Sequence, residues 1–434
     1  MHNKKKLEQL RAKIKEIQEK DLKDNIIGEL SEQEKKLSEQ LEIYKSMKRN
    51  KGVEFVYLES AKGSITSPLA MYKRINEYGE YFNREKIYID RIGEVEIDIS
   101  KTELLGFKKY LEKEEDIKLS KCMFIDIETT GLESGSGTIA YIIGLGFFDN
   151  ASFVVRQFFL RDFDEEHALL SAVNEYAGKF EYVFTYNGKR FDINILQNRY
   201  TLNRIPFKLS ELTHIDIYTI LRSLYLNNRG GLSLSTVEKE LIGIERLDDI
   251  ASYLIPDIYY QYLKRGYSEL LEYVFEHNAQ DVVSLAGLAL YLDKAFLMDE
   301  CNEKLMGAIY YHYGKCAAER GDYKEAIRCY EEAIKYNLNK KTIRIIIKDL
   351  CKFYKVEGEE HKVFELVRDI YDRMPDVISY AYLKKLALYY ENKERDLMAA
   401  FYYAAKCSEC FDEIKEDEGY IKRIFKKMMK SINK

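Results

Sequence analysis

Residues 122–131, Cys-Met-Phe-Ile-Asp-Ile-Glu-Thr-Thr-Gly, limit what the chain can become more than any other stretch. The apolar run Met123 to Ile127 has the length of a buried strand, and strand alternation sends Asp126 and Glu128 to the same face. Burying two carboxylates without a counter-charge is costly for each ion, so a divalent cation is the natural compensation. Thr129, Thr130 and Gly131 then predict a sharp turn that leaves hydroxyls and bare backbone beside the acids. Such a turn is a place to hold a phosphate-bearing ligand.

The chain around this stretch has 434 residues, enough for two or three domains with cores of their own. With 46% hydrophobic and 32% charged residues and no long apolar run, it is expected to be globular and to make no membrane contact. The start, Met1 to Lys6, has no apolar segment after its charges, so a cytoplasmic location is expected. Seven scattered cysteines fit reduced thiols better than a disulfide framework; Cys407 and Cys410, one helical turn apart, fit a core better than a zinc or redox pair. A net charge of -5 argues against coating nucleic acid by charge alone. It does not exclude local binding, because a cluster of metal-binding acids keeps a protein acidic until the cations arrive.

Along the chain, Leu7, Leu10, Ile14 and Ile17 and then Leu30, Leu37 and Leu41 recur at helical spacing, which predicts a helical or coiled-coil segment over 1–50. Residues 51–118 read as a small β-rich region, with short strands at 53–58, 87–90 and 94–99, closed by a charged linker at 112–118 and carrying no evident chemistry. From 119 to 295 strand and helix patterns mix: a meander through 139–148 and 153–160, a helix over 164–177, a strand at 182–186 and a helix over 191–203. The expected fold class is α/β, a mixed sheet with flanking helices. Residues 300–434 are helical in pattern, and Tyr310 to Ile334 resemble a tetratricopeptide repeat in residue type and spacing, with weaker helix pairs over 343–374 and 378–411.

Two further segments carry acids. In Tyr186-Asn187-Gly188-Lys189-Arg190-Phe191-Asp192 a strand ends at Asn-Gly and Asp192 falls in the first turn of a helix, where the dipole favours a carboxylate. In His277-Asn278-Ala279-Gln280-Asp281, His277 and Asp281 project from one helix face. Each has a plain explanation when taken singly: a strand-end acid, a helix-start acid, a surface pair. Asp216 is explained equally by helix capping and by support of a site.

Taken together and in this order, Asp126 and Glu128 in Asp-Ile-Glu-Thr-Thr-Gly-Leu, Asp192 in Asn-Gly-x-x-Phe-Asp, and Asp281 after His277 resemble the three motifs of the DEDD exonucleases, which have a ribonuclease H-like fold. The chain is similar in particular to the YprB-like family, whose pattern recurs in Leu232 to Leu241 with Arg246 downstream and in the attached repeats. One departure is the four-residue spacing from His277 to Asp281, where members with a histidine base often have five.

The resemblance implies a metal-dependent 3′–5′ exonuclease acting on single-stranded DNA or RNA, with two Mg²⁺ or Mn²⁺ ions held by Asp126, Glu128, Asp192 and Asp281. Oxygen donors and the lack of a Cys/His cluster favour those ions over zinc. His277, with an ordinary pKa near ~6.5, would accept the proton of the attacking water. Thr129, Thr130 and Leu132 would meet the terminal nucleotide and Asn187 the adjacent backbone, while the helical repeats would dock a protein partner. Two alternatives stand beside this: an adaptor built on an inactive nuclease fold, and a structure-specific endonuclease using the same acids.

Overall fold

The computed structural model describes residues 71–432 apart from 90, 93–94, 97–101, 132–136, 150–151, 226–231, 247–248, 266–267, 269, 299–301 and 411–417. The predicted helical segment 1–50, the predicted strand 53–58 and Leu132 lie outside the described residues. Residues 65–245 and 255–434 form one compact unit; residues 246–254 fall outside it, with Arg246 and Asp249 paired at 3.0 Å.

The large unit is built on a seven-stranded sheet. Strands β1 (Tyr72–Asn76) and β2 (Gly79–Ile89) form a hairpin, and a short ribbon of β3 (Arg91–Ile92) and β4 (Val95–Glu96) stands apart from the sheet. Helix α1 (Leu105–Tyr110) follows, then β5 (Cys122–Thr129), β6 (Ala140–Asp149) and β7 (Ser152–Phe159). Helix α2 (Glu166–Ala177), β8 (Tyr182–Thr185), α3 (Asp192–Asn203) and β9 (Thr213–Asp216) complete the alternating part. Helices α4 (Ile217–Leu224), α5 (Leu234–Ile242), α6 (Ile255–Arg265) and the long α7 (Leu271–Leu297) then cover the sheet. The strand order is β1-β2-β7-β6-β5-β8-β9, antiparallel from β1 to β5 and parallel at β5–β8 and β8–β9. This is the mixed sheet with flanking helices that the motifs imply; β5 has strands along both edges and is buried along most of its length, which is why it is mostly apolar.

Two glycines let α7 lie against the sheet. A Cβ at Gly144 would stand 2.3 Å from Asn278 Oδ1, and one at Gly146 would stand 2.4 Å from the Phe153 ring and 2.5 Å from Val282. At both positions a larger residue would force the facing side chains, or the helix that carries Asn278 and Val282, to move.

Residues 71–118 differ from their description in the sequence. The β-rich region is no separate body: β2 pairs along β7 from Phe82↔Phe159 to Ile89↔Ser152 and so extends the main sheet. The charged run is anchored too, since Ile117 is fully buried and its carbonyl accepts from Leu104 N at 2.8 Å. Helix α1 is pinned to the end of α7, where Asp293 Oδ1 accepts from Phe107 N at 2.9 Å and a Cβ at Gly106 would stand 1.9 Å from the Asp293 carbonyl oxygen. Phe107 meets Phe184 and Phe296 edge-on at 5.3 and 5.2 Å. The alternation of β2 shows in the sequence, but pairing with a strand some seventy residues on does not.

The C-terminal part is all helix: α8 (Glu303–Glu319), α9 (Tyr323–Ala333), α10 (Lys340–Val356), α11 (Glu360–Arg373), α12 (Tyr380–Tyr389), α13 (Leu397–Cys410) and α14 (Glu418–Ile432). Helix α8 belongs to two cores, with Leu305, Ala308 and Ile309 packed into that of the sheet and Ala317 into that of the helices. Tyr110 is stacked between Phe296 and His312, each at 4.0 Å, which ties α1, α7 and α8 together. Gly314 faces the Tyr330 ring, where a Cβ would stand 2.4 Å away. In the turn after α12, Glu391 is buried and bonded by Arg423 at 2.7 and 2.8 Å and by Lys427 at 2.6 Å. Among the described residues no helix is long and apolar enough to cross a membrane.

Candidate active site

Three elements far apart in sequence bring five of the predicted residues together. Asp126 and Glu128 sit two residues apart on β5, facing Gly144 and Ile142 of β6 across the ladder, with a bulge where β5 passes from Glu128 to Thr129. Asp192 is the first residue of α3. His277 and Asp281 lie one turn apart on α7, with His277 Nε2 3.7 Å from Asp281 Oδ2.

Electrostatics shows how closely the acids share one volume. Burial raises the Asp126 carboxyl well above the usual carboxylate range, and the charges of Asp281, Glu128 and Asp192 raise it further, against a smaller opposite pull from His277. Asp192 is pushed up to about 7, by burial first and then by Asp216 and Asp281. Carboxylates placed in this way are driven toward the protonated form unless a cation joins them. Among the described residues no three His, Cys, Asp or Glu side chains form a ready-made metal cage. The donor set is nonetheless that of a hard cation: carboxylate oxygens, with no thiolate beside them.

The turn before Asp192 is held from below. Asn187 has φ of +60°, and Asp216 accepts from Asn187 N at 2.9 Å and from Lys189 N at 3.1 Å. The same carboxylate accepts from Thr219 N at 3.3 Å, so Asp216 both caps α4 and braces the Asn-Gly turn. A Cβ at Gly188 would stand 2.7 Å from Asp192 Oδ2, so this glycine keeps room for the acid. His214 is tied to a neighbouring strand: its Nε2 bonds Thr185 Oγ1 at 2.8 Å.

The predicted ligand-facing hydroxyls are engaged in the turn. Thr129 Oγ1 donates to the Gly131 carbonyl at 2.8 Å, and Thr130 Oγ1 accepts from Ile139 N at 3.0 Å while keeping its own proton to give. Three residues escaped notice in the sequence. Asn278, between His277 and Asp281, donates from Nδ2 to Asp126 Oδ2 at 2.8 Å, and behind it stand Gln157 and Arg84. Asn278 has no periodicity of its own to reveal it, and Arg84 lies in a segment that looked free of chemistry.

Comparison with known proteins places the sheet and its helices in a family. A model of the RNase_H superfamily matches residues 123–292, which include all five converging side chains. YprB of Bacillus subtilis (strain 168) is 30% identical over 304 residues, covering 69% of this chain and 72% of that protein. The photosystem I assembly protein Ycf3 of Prochlorococcus marinus is 30% identical over 116 residues, 25% of this chain and 66% of that protein. A solved family B DNA polymerase from Pyrobaculum calidifontis gives a TM-score of 0.32 at 15% identity over 47% of this chain and 30% of the polymerase. With YprB similar over more than two thirds of both chains, this chain belongs to the family of YprB, and its residues 123–292 form a domain of the RNase_H superfamily.

Proposed function

We propose that the chain is a metal-dependent nuclease that removes nucleotides from the 3′ end of single-stranded nucleic acid. One observation carries this: four carboxylates from β5, α3 and α7 lie close enough to act on one another, and Asp126 and Asp192 are both pushed up toward the protonated form. Asp126, Glu128, Asp192 and Asp281 would hold Mg²⁺ or Mn²⁺, which when bound supply counter-charge to the phosphate and acidify water. Neutralising the acids is what makes room for an anionic substrate. His277, one turn from Asp281, accepts the proton of the attacking water, and Asp281 orients its ring. Thr130 presents its hydroxyl, Thr129 and Asn187 shape the seat of the terminal nucleotide and the backbone behind it, and Leu132, outside the described residues, would meet that nucleotide.

Residues 119–295 would carry the chemistry and 300–434, with their tetratricopeptide-like helix pairs, would dock a protein partner. The five described cysteines Cys122, Cys316, Cys329, Cys351 and Cys407 are free thiols, which fits a reducing compartment such as the cytoplasm.

The test is degradation of labelled single-stranded DNA and RNA by the full chain with Mn²⁺, with either end blocked in turn. Shortening from an open 3′ end that stops with Asp126→Asn supports the proposal. Equal activity of that variant refutes it, and internal cuts that ignore the end block replace the exonuclease by an endonuclease.

A further inference from the structure

Four residues line up across the sheet in register: Arg84 on β2 opposes Gln157 on β7, Gln157 opposes Gly144 on β6, and Gly144 opposes Asp126 on β5. Three strand spacings make this row about 14 Å long. Its third position is a glycine, and the side chain of Asn278 comes down from α7 to fill the gap. The row is a continuous line of hydrogen bonds. Arg84 Nε donates to Gln157 Oε1 at 3.0 Å, Gln157 Nε2 donates to Asn278 Oδ1 at 2.8 Å, and Asn278 Nδ2 donates to Asp126 Oδ2 at 2.8 Å and to the Asp126 carbonyl at 3.1 Å.

The direction of the line follows from its first member. A guanidinium has donors and no acceptor, so Gln157 must turn its oxygen to Arg84 and its amino group to α7, where the Phe275 carbonyl accepts as well, at 2.8 Å. Asn278 must then offer its oxygen to Gln157 and its amino group to Asp126. Gln157 and Asn278 are both 0% exposed, so water cannot stand in for a missing link. Arg84 is itself held by α7: its Nη1 meets Glu272 at 2.9 and 3.0 Å, its Nη2 meets Glu276 at 3.4 Å, and its guanidinium lies 4.6 Å from the Phe275 ring centroid.

We propose that Arg84, Gln157 and Asn278 are positioning residues: Arg84 and Gln157 fix the orientation of Asn278, whose amino group engages Oδ2 of Asp126 and thereby leaves Oδ1 as the oxygen presented to a cation. The row exists on geometry alone, while its effect on metal rests on Asp126 being a metal ligand as proposed above. Outer residues that orient a ligand typically change metal affinity 10–100-fold when lost. A row that only satisfies buried polar groups would change stability and leave affinity alone.

The test uses the full chain with Arg84→Met, which keeps the stem and loses the donor, with Arg84→Lys, and with Asn278→Leu. Mn²⁺ affinity is read by thermal-shift titration. Arg84→Met is expected to weaken it about tenfold and Asn278→Leu at least as much, with Arg84→Lys recovering most of the loss. A second measurement needs no metal: melting in EDTA of Arg84→Met, Asp126→Ala and the pair. Residues about 14 Å apart add in the absence of a physical link, so the row predicts a pair whose shift departs from the sum. Additive shifts overturn the proposal, as does wild-type Mn²⁺ affinity in Arg84→Met. If the wild type binds no Mn²⁺ and cleaves nothing while the shifts remain non-additive, the nuclease assignment fails and the positioning row stands.

Discussion

Asp126 on β5, Asp192 at the start of α3 and Glu391 in the C-terminal helices are all carboxylates shielded from water in whole or in part, and the fold treats them in opposite ways. Around Glu391 burial would raise the carboxyl, but Lys427 and Arg423 outweigh it and hold the group below its ordinary range. Around Asp126 and Asp192 the next charges are Asp281, Glu128 and Asp216, all of the same sign, and both acids move up. An acid that the protein neutralises with its own cations is part of the scaffold. An acid set among acids leaves the neutralising to a ligand, and that difference separates a strut from a site.

Several measurements can break this contrast. The largest expected effect is on cleavage: Asp126→Asn and Asp192→Asn should each lose about two to three powers of ten or more, the scale of removing one electrostatic group from a preorganised site, whereas Glu391→Gln should cleave like the wild type. Loss in all three would mean that the helical end takes part in the chemistry. Next comes metal-linked stability. At a hundredfold excess over its dissociation constant, Mn²⁺ should add about 2.7 kcal/mol to the wild type, and thermal melting should show that gain absent in Asp126→Asn but intact in Glu391→Gln.

Stability against pH in EDTA should then show the two signs. Asp192 has a folded pKa of about 7, above the ~3.9 of an unfolded chain. Its contribution is therefore fully present below pH ~4 and is lost as pH rises through neutrality, and Asp192→Asn should flatten that descent and melt higher than the wild type at pH 8. Glu391 has a depressed folded pKa, so its contribution is present above the ordinary glutamate value and is lost as pH falls through the folded one. Glu391→Gln should remove that acid-side loss. A wild type equally stable at pH 5 and pH 8 in EDTA would remove the basis of the contrast. The smallest effect is the melting cost of Glu391→Gln at neutral pH, about 1–2 kcal/mol, since its half-exposed partners Arg423 and Lys427 regain water.

Local patterns made much of this legible. Strand alternation alone put Asp126 and Glu128 on one face, the Asn-Gly turn put Asp192 at a helix start, and helical spacing put His277 and Asp281 on one side of α7. The helix pairs of the C-terminal part follow the same kind of signal, with Gly314 small because Tyr330 is large. What stayed hidden depends on register. Arg84 looks like any strand arginine until β2 is paired with β7, and for Asp216 the sequence leaves helix cap and site support equal; that it does both appears only when β8 and β9 lie side by side. Asn278 lay within the third motif, but an amide buried beneath a glycine of another strand has no pattern along its own helix.

The pairing of β2 with β7 also bears on how the protein can be cut. A fragment trimmed to the superfamily match, residues 123–292, would leave Ser152–Phe159 as an unprotected edge. That segment reads Ser-Phe-Val-Val-Arg-Gln-Phe-Phe, and all but its Ser and Arg are buried. Long apolar edges recruit other strands, so such a fragment should precipitate or form β-rich aggregates. A piece that keeps β7 covered begins ahead of β1, some fifty residues before Asp126.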